Sequence, residues 1–236
     1  MSGHTVAILG FHKIGAFPPT GWPSWFYIPE STFAGHLRVL RDAGWEPIDL
    51  HRFLRGLREP DTLPERAALL TFDDGYKSMR DVTLPLLQEL DVSAVLFVPA
   101  GFVGGRNTFD AGVEPDEPIC DWDDLRALAH GGVSIQSHAW SHRRFSELST
   151  EERRRELAES KAVLEDSLGT SVDVIAFPYG DSGPDDSALL LADTGYTAAF
   201  LYGGGPLQLP VEDPYRLARI AMGPDTDLRS ALERIA

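Results

Sequence analysis

A mixed α/β fold in a single domain, residues 1–236, is predicted by three observations. Short apolar runs alternate with longer stretches of helical periodicity, the pattern of repeated βα units. Most of the runs are dense in Val, Ile, Leu and Phe, as parallel strands covered on both faces require. At 236 residues and without a long polar linker, the chain has the size of one barrel-type α/β domain.

Strands are expected at residues 6–10, 67–72, 94–98, 133–136, 172–177 and 197–201, each too short for a helix and ended by polar or glycine-rich residues. A first helix is expected over residues 31–43, opened by Ser31-Thr32 and closed by Gly44, which can take a left-handed terminal conformation. Asp121 suits the N-cap of a helix over 122–130. Ser149 suits that of a longer one over 150–168, with Glu151-Glu152 in its first turn and Gly169 just past its end. Between them, residues 99–118 carry four glycines and several prolines and read as a long loop, expected to form one wall of the site.

Hydrophobic residues make up 43% and charged residues 24%, which supplies a core and excludes a disordered chain. The net charge is -15 and the 21 basic residues are scattered, so nucleic acid and anionic membranes are excluded as partners, and a neutral or cationic substrate fits. Cys120 stands alone and has no partner for an internal disulfide. No run reaches the ~20 apolar residues that span a bilayer. The opening Met1-Ser2-Gly3-His4-Thr5 lacks the pattern of a secretory leader, so a cytoplasmic protein is expected. Oligomeric state leaves no mark in the sequence.

Three segments can carry chemistry. In Thr71-Phe72-Asp73-Asp74-Gly75-Tyr76, two carboxylates follow a strand and precede a turn, so one can bind a metal while the other takes a proton. In Ser137-His138-Ala139-Trp140-Ser141-His142, two histidines four apart fall on one side of a helical turn, so both imidazoles can reach one ion. Two imidazoles and one carboxylate leave coordination positions open for water and substrate, the catalytic arrangement. In Ala176-Phe177-Pro178-Tyr179-Gly180, Pro and Gly bracket an aromatic residue in a tight turn whose backbone N–H can serve an oxyanion.

These segments, in this order, resemble the first three motifs of the polysaccharide deacetylase family, the NodB-homology enzymes. Phe11-His12-Lys13-Ile14, Thr32-Phe33 and Phe97-Val98-Pro99 extend the similarity over nearly the whole chain. The resemblance implies a distorted (β/α) barrel with its site at the C-terminal strand ends. It implies Asp73 as general base and Asp74, His138 and His142 as ligands of one divalent ion, zinc first, with cobalt, nickel, manganese or iron also compatible. Tyr179 then supplies an oxyanion donor, and the substrate is a carbohydrate with an N-acetyl group.

Two departures stand out. Ala176 replaces the arginine that usually opens the third motif and orients the base, as in the biofilm-polysaccharide branch. The tail Leu217-Ala218-Arg219-Ile220 lacks the family's terminal histidine. His12, after the first strand, is expected to line the pocket and partly substitute for it. Trp140, Pro178, Tyr202 and Trp122 are candidate substrate contacts, although the three aromatic ones also suit plain packing. A hydrolase of ureides or cyclic imides, and a silent carbohydrate-binding relative, remain alternatives.

Overall fold

The computed structural model describes residues 3–16 and 24–233; Met1 and Ser2 of the opening segment lie outside it. Eleven strands and seven helices are assigned among these residues. The strands are β1 (Thr5–Phe11), β2 (Lys13–Ile14), β3 (Tyr27–Ile28), β4 (Glu46–Pro47), β5 (Arg66–Phe72), β6 (Ala94–Val98), β7 (Val133–Ser137), β8 (Val174–Ala176), β9 (Ala198–Phe200), β10 (Leu207–Gln208) and β11 (Ile220–Ala221). The helices are α1 (Glu30–Asp42), α2 (Leu50–Arg58), α3 (Leu84–Glu89), α4 (Trp122–His130), α5 (Thr150–Leu168), α6 (Ser187–Asp193) and α7 (Leu228–Leu232).

β1, β5, β6, β7, β8 and β9 form a parallel sheet in that order. The sheet curls, and the segment from Leu217 to Ala221 lies across the gap. Leu217 bridges Phe200 at the end of β9, while β11 pairs in parallel with β1 at Leu9 and Gly10. The result is a distorted (β/α) barrel. Strand pairing is in register, Leu9 beside Leu70 and Phe97 beside Gln136, so the strand ends meet at one rim.

Two apolar layers follow from the period of two along each strand. Val6, Ile8, Ala67, Leu69, Val95, Phe97, Val174 and Phe200 fill the barrel interior, where Phe53 of α2 also packs. Ala7, Leu9, Ala68, Leu70, Leu96 and Ile135 face outward against helices through Leu125, Leu128, Leu157 and Leu164. Both faces are buried, which is why the strands read as continuous apolar runs rather than alternating ones.

All six expected strands are present, β6 with the expected ends and the others with at least one end shifted by one or two residues. α4 and α5 begin at the expected caps, and both caps form complete capping boxes, Asp121 with Asp124 and Ser149 with Glu152. α1 begins one residue early. The Pro29 carbonyl accepts from Thr32 and Phe33, which places Ser31 and Thr32 inside the first turn instead of at the cap. Among the described residues, no helix is long and apolar enough to cross a membrane.

Candidate active site

The inward phase of β5 runs Ala67, Leu69, Thr71 and on to Asp73, so the sequence delivers Asp73 to the top of the barrel interior. There its carboxylate meets a side chain that sequence reasoning missed. The guanidinium of Arg219 donates to Asp73 Oδ1 from one nitrogen and to Oδ2 from another, both at 2.7 Å. Arg219 is fully buried and makes two further bonds, to the Leu201 carbonyl (2.7 Å) and the Thr71 hydroxyl (3.0 Å). Burial alone would raise the Asp73 carboxyl; Arg219, with His138 and His12, brings it below its ordinary value. The arginine absent at position 176 is thus supplied from the segment that closes the barrel. Its signal in the sequence is a single charge inside the apolar run Leu217 to Met222.

Asp74 follows in a left-handed conformation, φ 73°, ahead of Gly75 at φ 70°, and this turn swings its carboxylate away from Arg219. Its Oδ1 lies 3.4 Å from His138 Nε2 and 3.1 Å from His142 Nε2. All three side chains are buried, yet Asp74 Oδ1 has no hydrogen-bond partner. Ligands about 2.0–2.1 Å from a tetrahedral zinc ion stand roughly 3.3 Å apart. The observed spacings match, so the trio fits one divalent ion. Burial pushes the Asp74 carboxyl up, but the three neighbouring imidazoles hold it well below the usual range.

His138 continues the inward phase of β7, and its Nδ1 is 2.7 Å from the Ala176 carbonyl, which fixes Nδ1–H and leaves Nε2 free toward Asp74. His142 sits between Phe109 (4.1 Å between ring centroids) and Tyr179 (4.7 Å). The loop between the histidines is not helical, because Ala139 and His142 take φ of 62° and 55°. Each such residue costs about 1–2 kcal/mol and persists only where neighbours hold it.

These groups lie at the floor of a cavity of about 360 Å³, within the range of small-molecule sites. His12, Tyr179 and Tyr202 line it, together with Phe26, Phe109 and Asp110. The loop over residues 99–118 therefore forms a wall. Lys13 and Ser24 tie that loop down by donating to Glu114, at 2.9 and 2.6 Å. His12 reaches 3.9 Å from Asp74 Oδ2 and packs on Phe26, with ring centroids 4.3 Å apart. Burial, its largest influence, lowers the His12 imidazole despite the nearby carboxylates of Asp74 and Asp73. Tyr179 projects into solvent beneath Arg144, whose guanidinium lies 4.2 Å from its ring centroid.

Three sequence candidates are not among the lining residues. Trp140 and Trp122 pack against the outer core, and Pro178 is buried in its turn. The Trp140 indole lies so close to Gly101 that a Cβ there would be 3.0 Å from its Nε1.

Known proteins share this fold and parts of this sequence. YxkH of Bacillus subtilis (strain 168), named as a polysaccharide deacetylase, is 23% identical over 153 residues, 65% of this chain and 51% of that protein. The poly-beta-1,6-N-acetyl-D-glucosamine N-deacetylase of Escherichia coli (strain K12) is 31% identical over 108 residues, 43% of this chain and 16% of that protein. The matched region thus spans about half the length of the first relative and less of the second. The Streptococcus pyogenes deacetylase PplD in complex with acetate shares the fold, with a TM-score of 0.83 at 21% identity over 99% of both chains. Residues 61–199, more than half of the sequence, match the profile of the polysaccharide deacetylases, and the chain belongs to that family.

Proposed function

We propose that this chain is a metal-dependent hydrolase that removes the acetyl group from the nitrogen of an N-acetylated amino sugar, in an oligosaccharide or a smaller sugar conjugate. One observation carries the reading. Two adjacent buried carboxylates have unlike partners, a guanidinium for Asp73 and two imidazoles for Asp74. Identical groups in unlike surroundings serve unlike roles.

Asp74, His138 and His142 would hold the divalent ion, zinc or another borderline metal. When bound, the ion would supply Lewis acidity, polarising the amide carbonyl and easing ionisation of the attacking water. Asp73 takes that water's proton. Arg219 keeps its carboxylate ionised and aimed, and each oxygen retains a lone pair beyond the one engaged by the guanidinium. Tyr179 contributes its backbone N–H to the oxyanion. His12, whose Nδ1 has no hydrogen-bond partner, serves the leaving nitrogen in place of the absent terminal histidine. Tyr179 and Tyr202 offer ring faces to the sugar. The E. coli relative, a poly-beta-1,6-N-acetyl-D-glucosamine N-deacetylase by name, supports an N-acetylated glucosamine as the substrate class.

Acetate release from N-acetylglucosamine oligomers, with allantoin assayed beside them, tests the reading. The wild type should release acetate, and Asp73→Asn should lose it by about 10²-fold or more with metal content unchanged. Sugar binding without acetate from either protein would favour a binding module, and turnover of allantoin alone would move the substrate to ureides.

A further inference from the structure

We infer that Glu156, on the buried face of α5, is a positioning residue for the two imidazoles of the candidate metal centre, acting through the backbone that joins them. The inference rests on the reading of Asp74, His138 and His142 as ligands. Among the described residues, Glu156 forms no hydrogen bond or ion pair with either histidine. Its Oε2 accepts from the N–H of Trp140 and the N–H of Ser141, both at 2.8 Å, and its Oε1 accepts from the Ser141 hydroxyl. The residue is 8% exposed, so these bonds are shielded from water.

The backbone explains why a carboxylate stands there. Consecutive N–H groups flanked by left-handed residues converge on one side of the chain and form a concave anion site. Ala139 and His142 are the left-handed residues, Trp140 and Ser141 the convergent donors, and Glu156 the anion. The opposite side of the loop is held as well. The carbonyls of Ala139 and Trp140 accept from the N–H groups of Ala100 and Gly101, at 3.0 and 2.9 Å. Of these partners, Glu156 alone is charged, and it alone comes from an element outside the rim of the barrel. Ser160 of α5 also reaches the loop, through the Ser137 hydroxyl that accepts from the Ala139 N–H. The two N–H groups between the left-handed residues are held from α5 by Glu156, and without it the imidazole of His142 is free to leave the spacing it keeps from Asp74.

Metal affinity is therefore the property Glu156 sets. The test measures Zn²⁺ affinity by competition with a chromophoric chelator, and the visible spectrum of the Co²⁺ form, for wild type, Glu156→Gln, Glu156→Ala and Leu164→Ala. Leu164 is a buried apolar residue of the same helix, far from the loop in sequence, and serves as a control for plain destabilisation. Removing a group that orients ligands from outside typically weakens binding 10–100-fold. That loss is expected in Glu156→Ala, with a smaller one in Glu156→Gln, which keeps the shape and loses the charge. An altered Co²⁺ spectrum is expected in both. Affinities within twofold of wild type in both Glu156 variants overturn the inference, as does an equal loss in Leu164→Ala. A wild type that binds no divalent ion overturns the metal reading itself, and this inference with it.

Discussion

At the scale of single residues, the pairing of Asp73 with Arg219 opposes burial and helps to hold that carboxyl below its ordinary value. The two are 146 positions apart, so no local spacing announced the contact. Asp73, Asp74, His138 and His142 were legible because each pair sits within one short segment at a strand end. Arg219 was not, because only closure of the sheet brings it over Asp73. Replacing Arg219 with Met leaves a buried carboxylate without its counter-charge, which typically costs about 3–5 kcal/mol. Because the folded Asp73 lies below its ordinary value, its contribution is fully present above the unfolded carboxylate range. It is lost as pH falls through the folded value. In the Met variant burial acts unopposed and raises the same group. The stability gap between wild type and Arg219→Met, read by urea unfolding, should thus be full at pH 7 and narrow below about pH 4. Arg219→Lys should restore little, since an ammonium cannot engage both oxygens in one plane. A gap that stays constant from pH 7 to pH 3 would sink this account of the pair.

Among elements, α5 shows what periodicity and capping can and cannot reveal. Its ends were legible because the Ser149 and Glu152 capping box and Gly169, at φ 67°, are local chemistry. What α5 does for the site was not legible, because Glu156 reads in the sequence as one more acid on a charged helix. β11 and α7 went unread for a different reason. At two and five residues they carry too few positions for any period to show, and they exist because neighbours pair or pack with them. The two ends of this argument separate by experiment. Ser149→Ala removes the acceptor for the Glu152 N–H and should lower stability by about 1 kcal/mol. The Ser149 hydroxyl touches only Glu152, so zinc affinity and acetate release should stay at wild-type levels. A cap variant that also lost metal would mean that the whole helix, rather than the Glu156 contact, positions the loop.

For the whole molecule, the fold was legible as alternating runs because the strands of the parallel sheet are buried on both faces. The floor of the site was foreseeable because catalytic groups of such barrels gather where parallel strands end. The rim aromatics were not, since nothing in the sequence separates Tyr202, which lines the cavity, from Trp140, which packs against the core. The same convergence that makes the site makes it a lock on the fold. Asp74, His138 and His142 belong to the ends of β5 and β7, so an ion held by all three joins two segments of the barrel. An ion that binds the folded but not the unfolded chain stabilises by about 4 kcal/mol when its free concentration is a thousand times its dissociation constant. For a chain of this size each kcal/mol moves the melting midpoint by roughly 2–4 °C, so saturating zinc should raise it by roughly 8–16 °C over the chelated protein. Asp74→Asn should abolish most of that rise. Asp73→Asn should retain most of it, because Asp73 is hydrogen-bonded to Arg219 and is not one of the three groups that would hold the ion. Equal zinc-dependent shifts in wild type and Asp74→Asn would place the ion elsewhere and remove the chemical basis for assigning the two carboxylates different roles.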